Sequence, residues 1–93
     1  MIFPLKRFTA SGNSMLPTLK DGQDILVWCW FVNPKVGDIV VIKHKGKEIV
    51  KRIENIQNNT VFVTGDNKQE STDSRNFGAV SRLEIVGKVV YVR

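Results

Sequence analysis

Two side chains in this sequence could do chemistry together: Ser14, in SGNSMLPTL, and Lys51, in KEIVKRIENI. A serine hydroxyl is a poor nucleophile until a positioned base takes its proton, and a lysine can be that base when its amine is neutral. Strand alternation in KEIVKRIENI places Ile49, Lys51 and Ile53 on one face and Val50, Arg52 and Glu54 on the other. Lys51 therefore stands between two isoleucines. Two readings of that position are open. Lys51 is either a lysine snorkelling at a sheet edge or a desolvated lysine whose pKa falls toward neutrality because burial penalises the ammonium form. His44 and Cys29 each occur once, which leaves no internal disulfide, no Cys/His metal spacing and no histidine triad away from the HKGK segment. No metal or cofactor is expected.

The elements that must position these residues read as strands. DILVWCWFV, GDIVVIKH, KEIVKRIENI, TVFVTG and EIVGKVVYV are rich in Val, Ile and aromatics and are punctuated by Gly, Pro, Asn and Asp. HKGK joins the second and third as a hairpin. The expected fold is all-β, a small coiled barrel or sheet forming one domain over residues 1–93. The segment 66–82, DNKQESTDSRNFGAVSR, is long for a loop in so small a domain, and loops of that length are usually functional or disordered. In ILVWCWFV, a strand running to Val32 would put Leu26, Trp28, Trp30 and Val32 on one face and Ile25, Val27, Cys29 and Phe31 on the other. Both faces are apolar, so the strand is either buried on both sides or buried on one and left with the Trp28 and Trp30 side for lipid or a partner.

Composition bounds the alternatives. The 93 residues are 42% hydrophobic and 25% charged with a net charge of +5, an ordinary globular balance with a basic excess. Lys43, Lys45 and Lys47 alternate through the hairpin tip as a solvated face would, and no recognition-helix pattern accompanies them, so no nucleic-acid partner is expected. The longest apolar run, eight residues, is far short of the roughly 20 that span a bilayer. MIFPLKRF also lacks the apolar core of a secretory signal.

SGNSMLPTLKDGQDILV, GDIVVI, IVKRIENI and GDNKQESTDSRNFGAVSRLEIVGKV together resemble the motif series of bacterial type I signal peptidases, the serine/lysine peptidases of the S26 group. The resemblance runs from Ser11 to Val89. Its most specific part is the order GDN, Ser71, DSR, Gly78. The self-cleaving repressor peptidases of the LexA type share the serine followed by Met and Pro, and the later lysine. The resemblance implies that Ser14 is the nucleophile, Lys51 the general base, and Ser71 the hydroxyl that orients the lysine amine. It also implies that Asp66 with Arg52, and Asp73 with Arg75, brace the loop carrying Ser71, and that Met15 shapes the substrate groove. Without it, these carboxylates and arginines read as a surface ion-pair network worth little by itself. Gly12 stands where many relatives place a hydroxyl that donates to the oxyanion, which leaves the Ser14 N–H as one donor.

Only residues 52–64 separate Lys51 from Gly65, where most signal peptidases carry a large insertion. That compactness resembles the short S26 peptidases that include the nickel-type superoxide dismutase maturation proteases. The implied activity is cleavage of an N-terminal leader from a precursor protein, with small residues at the first and third positions before the cut. The implied location is cytoplasmic for such a short form, or the extracytoplasmic membrane face for the soluble core of a membrane-bound signal peptidase. A non-catalytic interaction module or a LexA-like autoprotease would be the other outcomes; a Ser14 to Lys51 side-chain separation within hydrogen-bond reach, with Ser71 beside the amine, separates the peptidase from the interaction module, and an autoprotease would need a cleavable segment in the same chain.

Overall fold

The computed structural model describes residues 4–30 and 32–92. Seven strands form one antiparallel sheet: β1 (Leu5–Thr9), β2 (Asp24–Trp28), β3 (Ile39–His44), β4 (Lys47–Gln57), β5 (Thr60–Thr64), β6 (Val80–Ser81) and β7 (Ile85–Val92). Their order across the sheet is β1-β2-β7-β3-β4-β5-β6, and the one α-helix, α1 (Ser74–Phe77), is a single turn. The all-β expectation holds. HKGK closes β3 onto β4 through Lys45 and Gly46, both at positive φ (50° and 80°), as a two-residue turn matching the twist of its strands requires.

β3 lies at the centre of the sheet and sorts its side chains into two cores. Val41 points into a cluster of Ala10, Met15, Leu19, Ile25 and Val27, while Val40 and Ile42 point the opposite way into Ile53, Val61, Val63 and Val80. A sheet buried on both faces at its middle reads as a continuous Val/Ile run, and VVI at 40–42 is that run. Lys51, on β4, lies directly opposite Val40, so the lysine enters the second core from its rim.

Two features differ from the sequence expectation. The strand beginning at Asp24 ends at Trp28 and does not run on to Val32. The Cys29 N–H still reaches back to the Pro4 carbonyl (2.7 Å), but the Trp28 indole then caps the Trp30 carbonyl (2.6 Å) and the chain leaves the sheet toward Pro34. The alternation holds over Ile25–Trp28, with Ile25 and Val27 buried and Trp28 exposed. It does not define a face at Trp30 and Val32, and Phe31 lies outside the described residues. The second difference is β1, an edge strand whose LKRFT sequence carries two charges and no β-rich run. Pairing with β2, Leu5 opposite Trp28 through Thr9 opposite Asp24, creates it.

The packing implies a sharp contrast between two apolar positions. Urea unfolding should show Ile53→Ala losing about 2–5 kcal/mol of stability through the cavity it leaves. Leu83→Ser, at a position 96% exposed, should change stability by no more than about 0.5 kcal/mol.

Candidate active site

Ser14 sits on an excursion between β1 and β2. Reciprocal backbone bonds, Ala10 N–H to the Gln23 carbonyl (2.8 Å) and Gly22 N–H to the Ala10 carbonyl (2.7 Å), close the base of this loop. Met15 and Leu19, both buried, pin it to the first core. Ser14, one residue before that anchor, is left half-buried at the surface. Gly12 turns the chain at φ +83°, a conformation that favours glycine, and its N–H donates to Asp21 Oδ1 (2.8 Å). The Gly12 N–H is therefore committed within the loop, and the support this residue gives is conformational. The Ser14 N–H makes no hydrogen bond among the described residues.

Lys51 is 4% exposed, and its amine donates to Ser71 Oγ (2.9 Å). The snorkelling alternative is thereby removed. Burial pushes the Lys51 amine below the ordinary lysine value; the Asp73 charge opposes that shift and the Arg75 charge adds to it. Ser71 Oγ in turn donates to Asp73 Oδ2 (2.6 Å). Asp73 is fully buried, and burial alone would raise its carboxyl. Hydrogen bonds from the Arg75 guanidinium, the Ser71 hydroxyl and the Gly65 and Arg75 N–H groups outweigh that cost and hold it well below the usual carboxylate range. Asp73 also caps α1, with Asn76 returning the bond to the Asp73 N–H in a capping box. The expected loop at 66–82 is thus a built plate: a 3-10 turn at Lys68–Glu70, α1 and β6, with Arg75 Nη2 tied to the Lys68 carbonyl (2.8 Å).

The GDN segment clasps this plate to the Ser14 loop. Arg52 grips Asp66 with two parallel bonds of 2.8 Å and the Gly37 carbonyl with a third of 2.7 Å. Its guanidinium is the main reason the Asp66 carboxyl is held below its ordinary value. Thr18 Oγ1 donates to the same carboxylate (2.5 Å), the Asp66 N–H meets Met15 Sδ (3.5 Å), and Asn67 ties down Ser14 and Asn13 through their carbonyls (2.8 and 3.1 Å). Thr18, Gly65 and Asn67 carry roles that sequence reasoning left unassigned. The order GDN was the available signal for the last two.

These elements bring Ser14, Met15, Lys51 and Gly12 to one groove of about 440 Å³, floored by Phe8, Ala10, Leu19, Val41 and Val50 and walled by Thr72 beside Ser71. Asp66 and Arg52, and Asp73 and Arg75, stand behind it as ion pairs. Of the expected geometry, the Ser71 hydroxyl stands beside the Lys51 amine, whereas Ser14 and Lys51 make no direct hydrogen bond among the described residues. A hydroxyl and a desolvated amine share a cavity, and a buried carboxylate–hydroxyl relay holds the amine. That arrangement suits acyl transfer through serine.

A profile of the Peptidase S24-like family matches residues 5–90. The chain belongs to that family. S24-like membership makes this a serine-peptidase domain in the broad sense, LexA-like modules included, and the S26 group named from the motif series is a related one. No curated protein sequence matches the chain.

Gly65 is where this S24-like site tolerates least. A Cβ there would overlap Ser71 Oγ and lie 2.5 Å from the Ser14 carbonyl. Gly65→Ala should lower stability by about 1–3 kcal/mol in thermal melts, and it should remove activity even at temperatures where the fold persists, because it wedges Ser14 from Ser71.

Proposed function

We propose that this chain is a serine endopeptidase in which Ser14 is the nucleophile and Lys51 the general base, and that its substrates are precursor proteins from which it removes an N-terminal leader. The observation that carries the reading is the buried Lys51 amine, bonded to Ser71 Oγ and facing the groove that Ser14 lines. A neutral amine uses one N–H for Ser71 and keeps its lone pair for the Ser14 proton. Ser14 Oγ then bonds to the scissile carbonyl carbon, and its proton passes to Lys51 Nζ. The oxyanion accepts from the Ser14 N–H. As the C–N bond breaks, Lys51 returns the proton to the departing amine, leaving an acyl-Ser14 ester and a neutral lysine. Water, deprotonated by the same amine, hydrolyses the ester and restores the hydroxyl.

The groove is suited to an extended peptide. β1 is the edge of the sheet, and β5 pairs with β4 only from Arg52 onward, so residues 47–51 of β4 have no strand partner on that side among the described residues. A substrate laid between these two edges gains main-chain bonds, and alternate side chains turn toward the floor. Met15, Val41 and Val50 leave a shallow floor there that favours small residues. Maturation of nickel-type superoxide dismutase is the specific task suggested by the compact S26-like motif series.

An anionic lipid surface is the partner we assign to the uncovered part of the sheet. Trp28 (41% exposed) lies opposite Leu5 on β1 and Lys88 on β7, and Leu26 lies opposite Arg7 and Tyr91 (57% exposed). Lys35 and Lys88 flank Trp28 and Val90 in one depression, and Trp30 is exposed nearby. Aromatic rings beside lysine and arginine match the chemistry of the membrane interface. β1 leads from this patch at Leu5 to the groove at Phe8.

Three outcomes are expected. Ser14→Ala and Lys51→Met should each cut activity on a leader-bearing precursor by at least about 10³-fold with unchanged far-UV spectra. Wild-type rate should rise with pH through a midpoint below the roughly 10.4 of free lysine, because deprotonation creates the base; mass spectrometry of the cleaved leader checks both. On vesicles containing anionic lipid, Trp28→Ser with Trp30→Ser should weaken cosedimentation roughly tenfold. Undiminished binding would remove the lipid assignment.

A further inference from the structure

The charged end of the groove selects its substrate. Lys47 and Glu48 line the groove at the start of β4, four and three residues from Lys51, and besides Lys51 they are the charged side chains on its walls among the described residues. Glu48 lies directly opposite Lys43 on β3 and Lys47 opposite His44, and neither Lys47 nor Glu48 makes an ion pair among the described residues. His44 itself meets Glu84 (3.3 Å). Lys43 and Lys45, both exposed, add two ammonium groups at the hairpin tip beside this end of the groove.

From this placement we infer that Lys47 is a specificity-determining residue and that the substrate class is peptides carrying an acidic side chain four residues from the one that sits beside Lys51. The inference rests on the peptidase reading and deepens it. The spacing follows from strand geometry. Lys47, Ile49 and Lys51 share one face of β4, and a peptide paired with the open 47–51 edge repeats that alternation whichever way it runs. A side chain near Lys51 is therefore followed, about 13 Å along the strand, by one on the same face near Lys47. Directly opposed side chains in neighbouring strands come within reach of each other, and opposite charges there attract while like charges repel. On the other face the sequence of neighbours is Val50 and then Glu48, so the apolar floor gives way to a carboxylate that stands directly opposite Lys43. An acid therefore gains on the Lys47 face, and a base gains little on the Glu48 face.

The test uses peptides spanning a cleaved leader junction, with Asp, Asn or Lys placed singly at each of six positions on either side of the cut. The readout is the Asp-to-Lys ratio of kcat/KM at each position, measured within one enzyme so that changes in overall activity cancel. Wild type should prefer Asp about fivefold at one position, four residues from the junction residue nearest Lys51, at low salt. Lys47→Glu should reverse that preference at the same position, and about 0.5 M salt should flatten both, since exposed charges are screened over a few ångströms there. Lys47→Glu that keeps the wild-type ratio at every position overturns the inference while the peptidase reading stands. Wild type that cuts no peptide of the set, nor the intact precursor, overturns the peptidase reading and the inference together.

Discussion

Everything about the site follows from burying the amine of Lys51 in a domain that has little interior in which to hide it. An ammonium group taken from water is costly, and the cost is reduced when the proton leaves. The same burial that makes Lys51 expensive as a structural residue makes it useful as a base. Its position between Ile49 and Ile53, opposite Val40, sets the desolvation. The Ser71–Asp73 relay then fixes the direction of the amine. Asp73 has opposing influences here. Its charge draws the Lys51 pKa upward, yet without it Ser71 would have no acceptor and the Gly65 N–H no partner. Arg75, bonded to the same carboxylate, offsets part of that pull.

The second constraint is that Ser14 and Lys51 come from parts of the chain far apart in the sheet order and must still share one groove. β4 and the loop after β1 are separated by β2, β7 and β3, and only a sheet coiled round on itself returns them to one groove. The GDN segment holds that closure from the far side. Arg52, adjacent to Lys51 in sequence, points the other way and grips Asp66, so one strand supplies the buried amine on one face and the brace on the other. Thr18 and Asn67 carry the brace across to the serine loop. A fold with so small a core gains rigidity at this junction from charge-assisted bonds where a larger protein could use more packing.

Much of this was legible in the sequence, and the parts that were not share a cause. The alternation around Lys51 exposed its environment because a period of two leaves no freedom about which neighbours share a face. The β3–β4 hairpin was legible from Lys45-Gly46 for a similar local reason. β1 was not, since LKRFT has no strand signal of its own and exists by pairing with β2. The end of β2 was also hidden, because ILVWCWFV stays apolar past Trp28 and nothing within the run marks where the chain leaves the sheet. At Gly12 the residue type pointed to a gap in the oxyanion hole, whereas the structure shows a turn whose N–H is taken by Asp21. Gly65 was legible as part of a motif and not as a packing position, for its reason lies in Ser14 and Ser71, distant in sequence. Local periodicity carried over faithfully, and contacts between distant segments did not.

The claim on which the account turns is that burial holds the Lys51 amine below the ordinary lysine value. It can be read without any substrate, by NMR titration of the chain labelled with 13C at the lysine ε-carbon, with the Lys51 resonance assigned by its loss in Lys51→Met. The account predicts a Lys51 resonance that titrates below the roughly 10.4 of an unperturbed lysine. A Lys51 resonance titrating at that value or above it would contradict it.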